Sequence, residues 1–207
     1  MNKKVAFFGA GSIYEKTVKS LGFDPTVKLL SSIGLLSSHK GHDMAIKVFS
    51  ELIEHHPDIV LLIAGGGGED ELKRLKALVE RYNLVDKVIF TEKQVPNINV
   101  VYLASEFVFS LTQHGEAFGR VPFEAMFAET KTIAPTVGAA PELIIDMKTG
   151  FLSDPLNKDE VLHKALYILD NPEESNKILK CGQTHFKELL SPKNVIHHVE
   201  KIYFSIL

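Results

Sequence analysis

The sequence predicts an α/β domain built on a doubly wound parallel sheet, and three observations carry that prediction. Short apolar runs of strand length, Ile59–Ala64 above all, hold no polar residue, as strands buried on both faces do. The segments between them repeat apolar residues at helical spacing, as Ala45, Val48, Phe49 and Leu52 do. Polar loops with glycine stand where strands hand over to helices. Alternation of this kind builds parallel sheets, and 207 residues at 45% apolar content supply a core of ample size.

The elements follow in order. Residues 4–8 read as a first strand and 13–21 as a helix. Lys3 and Lys4 precede the apolar residues 5–8, but that run is too short for a signal peptide or a bilayer span. Gly9-Ala10-Gly11 between strand and helix invites a dinucleotide-binding reading. The third small residue of that fingerprint is replaced by Tyr14, so a plain glycine turn is favoured. Residues 29–36 form a mostly apolar strand, 37–43 a polar loop and 44–55 a helix. Strand 59–64 ends at the four glycines 65–68, which serve equally as a flexible turn or as a ligand contact. An acid-capped helix 69–82 presents Leu72, Leu75, Leu78 and Val79 on one side. Strand 88–90, a short helix 100–105 and strand 107–109 come next. Strand 131–134, a short helix after Glu142 and strand 150–152 complete the sheet. Helices 159–169, 173–189 and 193–204 close the chain. The strands and helices together give a Rossmann-like sheet.

Composition removes several function classes. A net charge of −3 with interspersed signs offers no basic field for nucleic acid. The single cysteine, Cys181, excludes an internal disulfide and suits a reducing compartment. Nine histidines include the pairs 55–56 and 197–198, yet no Cys/His/carboxylate set has zinc spacing. Asp-x-Asp, Gly-x-Ser-x-Gly and P-loop motifs are missing, and metal-free chemistry without a cofactor is expected.

The stretch from His114 to Glu142 organises the rest. It places Glu116 in a loop with Gly115 and Gly119, and Glu124 a turn into the helix that follows, with seven residues between them. Pro122 is tolerated because it lies in the first turn. A helix opened by a glycine loop offers free N–H groups and a positive dipole end, which suits a phosphate or a sugar hydroxyl. Acids near a helix start are also favoured by the dipole alone. The frame tips the balance, because strands on either side put this loop at the carboxyl end of a parallel sheet, where ligands bind. Lys40, with Gly41, falls at the same end and can meet a pyrophosphate as a point charge.

Glu116, Phe118, Gly119, Glu124, Ala125 and Met126, then Val137, Gly138, Pro141 and Glu142, resemble the E-x7-E segment of retaining glycosyltransferases of the GT-B fold, glycosyltransferase family 4-like. Residues 34–41 are similar to that family's G-R-L-x-x-x-K-G, with Lys40 matching its lysine and Leu35 standing at its arginine. Glu92 stands where that family tends to carry a glycine near the base pocket. The resemblance implies the C-terminal, donor-binding half of a GT-B enzyme, acting on UDP-, GDP- or ADP-sugars without metal. It implies catalytic roles for Glu116, holding sugar hydroxyls, and Lys40, on the diphosphate. It further implies donor contacts from Glu124, to the ribose, and from Phe118, Gly119, Ala117, Arg120 and Gly41.

Residues 1–27 are then expected to be a short strand–helix piece, vestigial or truncated, before a nucleotide-sugar-binding domain at 28–207. A glycan or lipid-linked acceptor, and a homodimer or partner chain supplying the N-terminal half, complete the expectation. The place of action would be the cytoplasm or the membrane periphery. Two alternatives stay open: a nucleotide-sugar-binding module inactive alone, and a small NAD-dependent oxidoreductase using Gly9 and Gly11.

Overall fold

The computed structural model describes residues 26–114, 116 and 118–206, together with Lys16, Lys19 and Asp24. Its strands are β1 (Lys28–Ile33), β2 (Ile59–Ala64), β3 (Val88–Phe90), β4 (Ser105–Phe109), β5 (Lys131–Pro135) and β6 (Phe151–Ser153). They form one sheet in the order β3-β2-β1-β4-β5-β6, with every neighbouring pair parallel. The chain winds outward from β1 to β3, returns to the middle, and winds the other way from β4 to β6. The reversal lies between β1 and β4, where Leu30 faces Phe107 and Ser32 faces Phe109. This is the doubly wound sheet that the sequence predicts.

The described helices are α1 (His42–His55), α2 (Glu69–Arg81), α3 (Ile98–Ala104), α4 (Arg120–Phe127), α5 (Ala140–Leu143), α6 (Lys158–Asp170), α7 (Pro172–Leu189) and α8 (Pro192–Ile206). They cover both faces because side chains of a strand alternate. Leu30, Leu61 and Ile63 pack with Phe49 and Leu52 of α1 and with Val161, Ala165 and Ile168 of α6. Leu29, Val60 and Leu62 point the other way, onto Val101 and Ala104 of α3. On that second face Phe123 and Met126 of α4 meet Leu179 and Phe186 of α7 over Ala134 and Leu152. Phe49 is fully buried, so truncation to alanine would cost about 3–5 kcal/mol.

Two serines in the middle of β1 are satisfied locally. Ser105 donates to the Val101 carbonyl at 2.7 Å, leaving its oxygen to accept from Ser31, also at 2.7 Å. Ser32 bonds the Nδ1 of His42 at 2.8 Å. Neither serine breaks the strand, because each has a partner.

Several boundaries differ from expectation. The strand predicted over 29–36 ends at Ile33, and Leu36 keeps only a bridge to Gly67. Gly34 and Leu36 still donate to the carbonyls of Ala64 and Gly66, so the chain stays beside β2 while leaving the sheet's register. The short helix expected to follow Glu142 contains it, since α5 already begins at Ala140. Helix α3 lies two residues early and runs directly into β4 at Ser105. Strand 4–8 and helix 13–21, with Gly9 and Gly11, lie outside the described residues. No helix among the described residues is long and apolar enough to cross a membrane.

Candidate functional site at the sheet reversal

The loops that leave β1 and β4 meet at the carboxyl ends of those strands, the crevice that a doubly wound sheet leaves for ligands. The first loop turns through a 3₁₀ segment, Ser38–Lys40, and ends at Gly41, which caps α1 in the left-handed conformation with φ 73°. A Cβ on Gly41 would lie 2.0 Å from the Leu111 carbonyl oxygen, so only glycine lets the two loops approach this closely. The Gln113 amide then bonds the His39 carbonyl at 2.8 Å. Residues from opposite sides of the reversal are thereby fastened together.

Within this junction Lys40 and Glu116 form an ion pair, with 24% and 32% of their side chains exposed. Burial of the ammonium lowers the Lys40 pKa from its ordinary value. Glu116 is steadied from behind by Gly138, whose φ is 71° and whose added Cβ would stand 2.7 Å from the Glu116 carbonyl oxygen. With Ser110, Thr112, Phe118, Gly119 and Val137, Glu116 lines a small recess. The Phe118 ring leans on Phe123 at 5.0 Å, and Phe123 stacks on Phe186 at 4.5 Å.

On the other side of the α4 N-terminus lies a larger open cleft of about 590 Å³, within the range of small-molecule sites. Gly34, Leu35, Gly65, Gly66, Val95 and Tyr102 contribute to its walls, and so do Arg120 and Glu124. Helix α4 begins between the two recesses, with Gly119 bordering the smaller and Arg120 the larger. Its free amides and dipole favour negative charge there.

Glu124, one turn into α4, accepts a hydrogen bond from the Tyr102 hydroxyl at 2.9 Å on Oε2, while Oε1 lies 3.6 Å from Arg120 Nη1. Arg120 is largely exposed, so its guanidinium is free to turn towards a ligand.

The residues singled out in the sequence therefore fall into two groups. Lys40 and Glu116 touch, with Phe118 and Gly119 beside Glu116. Glu124 and Arg120 share the larger cleft. Gly41 stands behind Lys40 as the cap of α1, and Ala117 lies outside the described residues. Leu35, expected inside an apolar strand, is 59% exposed at the cleft wall, because the chain has left β1 before reaching it.

Other residues escape a reading of the sequence. Tyr102 looks like one more apolar position of α3, and only its hydroxyl hints at a partner. His42 is buried, with Nδ1 on Ser32 and Nε2 on the Leu35 carbonyl at 3.1 Å; burial lowers its pKa. Glu92, by contrast, is singled out in the sequence; it adopts φ 57°, the left-handed region that glycine enters without strain, and its carboxylate bonds Lys76 at 2.5 Å.

Comparison with known proteins points one way. The sequence model of the family described as glycosyl transferases group 1 matches residues 14–185. The putative glycosyltransferase YtcC of Bacillus subtilis is 30% identical over 208 residues, covering 95% of this chain and 50% of that protein. D-inositol 3-phosphate glycosyltransferase of Segniliparus rotundus is 27% identical over 168 residues, covering 80% of this chain and 37% of that one. The chain thus spans about half or less of the length of these curated relatives. Among solved structures, Anabaena HepE in complex with UDP and glucose superposes with a TM-score of 0.81 at 21% identity, covering 95% of this chain and 53% of that one. The C-terminal domain of the group 1 protein LpcC from Francisella tularensis gives 0.74 at 21% identity, covering 93% and 98%. At these identities the two structures bear on the fold, which is the GT-B type of α/β domain.

Proposed function

Because the chain belongs to the glycosyl transferases group 1 family, we propose that its cleft binds the nucleotide-diphosphate-sugar donor of a retaining glycosyl transfer. The observation that carries this reading is the placing of the Lys40–Glu116 pair on one side of the α4 N-terminus and of Glu124 on the other, at the β1–β4 reversal. The nucleoside would occupy the larger cleft, with Glu124 accepting from the ribose hydroxyls. The diphosphate would lie over the start of α4. The sugar would reach the recess at Glu116.

In the reaction the bond from the anomeric carbon to the diphosphate oxygen breaks, an acceptor hydroxyl oxygen bonds to that carbon as its proton leaves with the diphosphate, and negative charge grows on the leaving group. Lys40, the amides at the head of α4 and Arg120 would stabilise that charge without any metal ion. Preorganised donors of this kind are usually the largest catalytic contribution. Glu116 would hold sugar hydroxyls and favour the cationic, oxocarbenium-like state. Its present pairing with Lys40 means that a donor phosphate must compete for the ammonium. HepE is crystallised with UDP and with UDP-glucose, which supports a nucleotide-sugar ligand for this fold.

A second reading is donor binding by this chain with the acceptor wall supplied by other residues, in the same polypeptide or a partner. Coverage of about half the length of the relatives favours it, and so does Leu35, which gives the diphosphate no charge. Catalysis then requires both walls of the cleft, since holding two reactants in line contributes much of the rate.

Calorimetric titration with UDP, GDP and ADP, the matching nucleosides, and NAD tests the proposal. Binding of one diphosphate well above its nucleoside is expected. Preference for NAD would overturn it.

A further inference from the structure

We infer that Tyr102 is a positioning residue, holding the Glu124 carboxylate at the angle from which it receives the ribose diol. The inference rests on the reading of the cleft given above and deepens it. Three observations support it.

Tyr102 is fully buried although it ends in a polar group, and its hydroxyl spends its one proton on Glu124 Oε2 at 2.9 Å. The ring is clamped among Val108 and Ala125, with Ile33, Ile98 and Val121 around it. Its backbone carbonyl accepts from the Thr130 hydroxyl at 2.6 Å, so the far end of α4 is tied to the same residue. Tyr102 is therefore fixed at ring, hydroxyl and backbone, and it grips α4 at Glu124 and just past its end.

Glu124 by itself has no such constraint. Three rotatable bonds separate its carboxylate from the helix, and Arg120, its other neighbour, is exposed and 3.6 Å away. Without the tyrosine, the carboxylate would be free to follow Arg120 into solvent. With it, Oε2 is pinned, and Oε1, beside Arg120, belongs to a carboxylate held at the wall of the cleft. A vicinal diol needs both oxygens presented in one plane, with bond distances near 2.7 Å. Burial, followed by the neighbouring carboxylate, raises the Tyr102 pKa, which keeps the proton on the hydroxyl.

The test compares Tyr102→Phe with the wild type in binding UDP, GDP and ADP and their 2′,3′-dideoxy counterparts. The dideoxy nucleotides present no hydroxyls to Glu124. For the base that binds, the wild type is expected to favour the ribonucleotide by roughly tenfold or more, the weight of a hydrogen bond to a charged group. Tyr102→Phe should lose most of that preference while holding the dideoxy nucleotide as before. In a Glu124→Ala background the same change should have no further effect on the preference.

An equal loss for both nucleotides would show a merely structural tyrosine, and an unchanged preference would show one that Glu124 does not need. Either result overturns the inference alone. A wild type that binds ribo and dideoxy forms equally removes the ribose role of Glu124, and the inference with it. If the phenylalanine variant does not fold, 4-fluorophenylalanine at 102 fills the hydroxyl's space without a proton to donate and takes its place.

Discussion

Lys40 and Glu116 neutralise each other between the loops that leave β1 and β4, the strand pair at which the sheet of the described residues reverses its winding. The pair is partly exposed, so its own contribution to stability is small, about 0–1 kcal/mol. Its importance lies in what must replace it. In the donor site proposed above, a diphosphate arriving at the head of α4 would take the ammonium from Glu116 and free that carboxylate for the sugar.

Lys40→Ala should therefore weaken nucleoside-diphosphate binding by about 1.5–3 kcal/mol, the weight of a hydrogen bond to a charged group, and leave nucleoside binding almost unchanged. Titration calorimetry with UDP and uridine, or the matching pair for another base, measures both. Equal losses would place Lys40 away from the phosphates.

Glu116→Gln should act in the opposite direction on the bare diphosphate. Removing the competing carboxylate releases Lys40 and removes a like charge, so affinity for the diphosphate is expected to rise severalfold. Sugar transfer or donor hydrolysis, where either is seen, should fall. Weaker binding of the bare diphosphate would contradict the exchange of partners.

Leu35→Arg should strengthen diphosphate binding. The position is exposed at the cleft wall, so a guanidinium there keeps its hydration and pays little for burial. A gain of about 1–2 kcal/mol is expected from one new charge-assisted contact, at the low end because the site is open. An unchanged dissociation constant in a folded variant would mean that the diphosphate lies elsewhere.

His42 gives a dependence on pH. With Nε2–H donating to Leu35 and Nδ1 accepting from Ser32, the ring is buried neutral, and burial depresses its pKa. Below the unfolded value of about 6.5 the unfolded chain binds a proton that the folded one refuses, so stability falls with acidification through that window. His42→Gln should flatten the slope of Tm against pH between about 5 and 6.5. The same slope in the variant would assign the effect to other groups.

Much of this architecture is legible in the sequence, because its signals are local. The all-apolar Ile59–Ala64 can only be a strand buried on both faces, and its bounds agree with the structure. Glycines before polar helix starts mark the loop ends. The site is legible in part, since Lys40 and Glu116 stand in loops that leave strands and Glu124 stands one turn into the helix that follows the second loop. What is hidden is contact between distant segments. Nothing near Lys40 announces that Glu116 will neutralise it, and nothing near Glu124 announces Tyr102. The exit of the chain from β1 at Gly34 is hidden too, because residues 35 and 36 remain apolar while the Leu36 amide bonds the Gly66 carbonyl, past the end of β2. Leu35 consequently reads as core and stands at the surface.

The central claim, that Glu124 and the cleft around it receive the ribose of a nucleotide donor, is tested most directly by one comparison. It is the dissociation constant of the preferred nucleoside diphosphate, among UDP, GDP and ADP, for the wild type and for Glu124→Ala. The proposed ribose contact predicts a loss of about 1.5–3 kcal/mol, tenfold or more in affinity, with the melting temperature of the unliganded chain nearly unchanged. Equal affinity in the two proteins, or no binding of any of the three by the wild type, would contradict it.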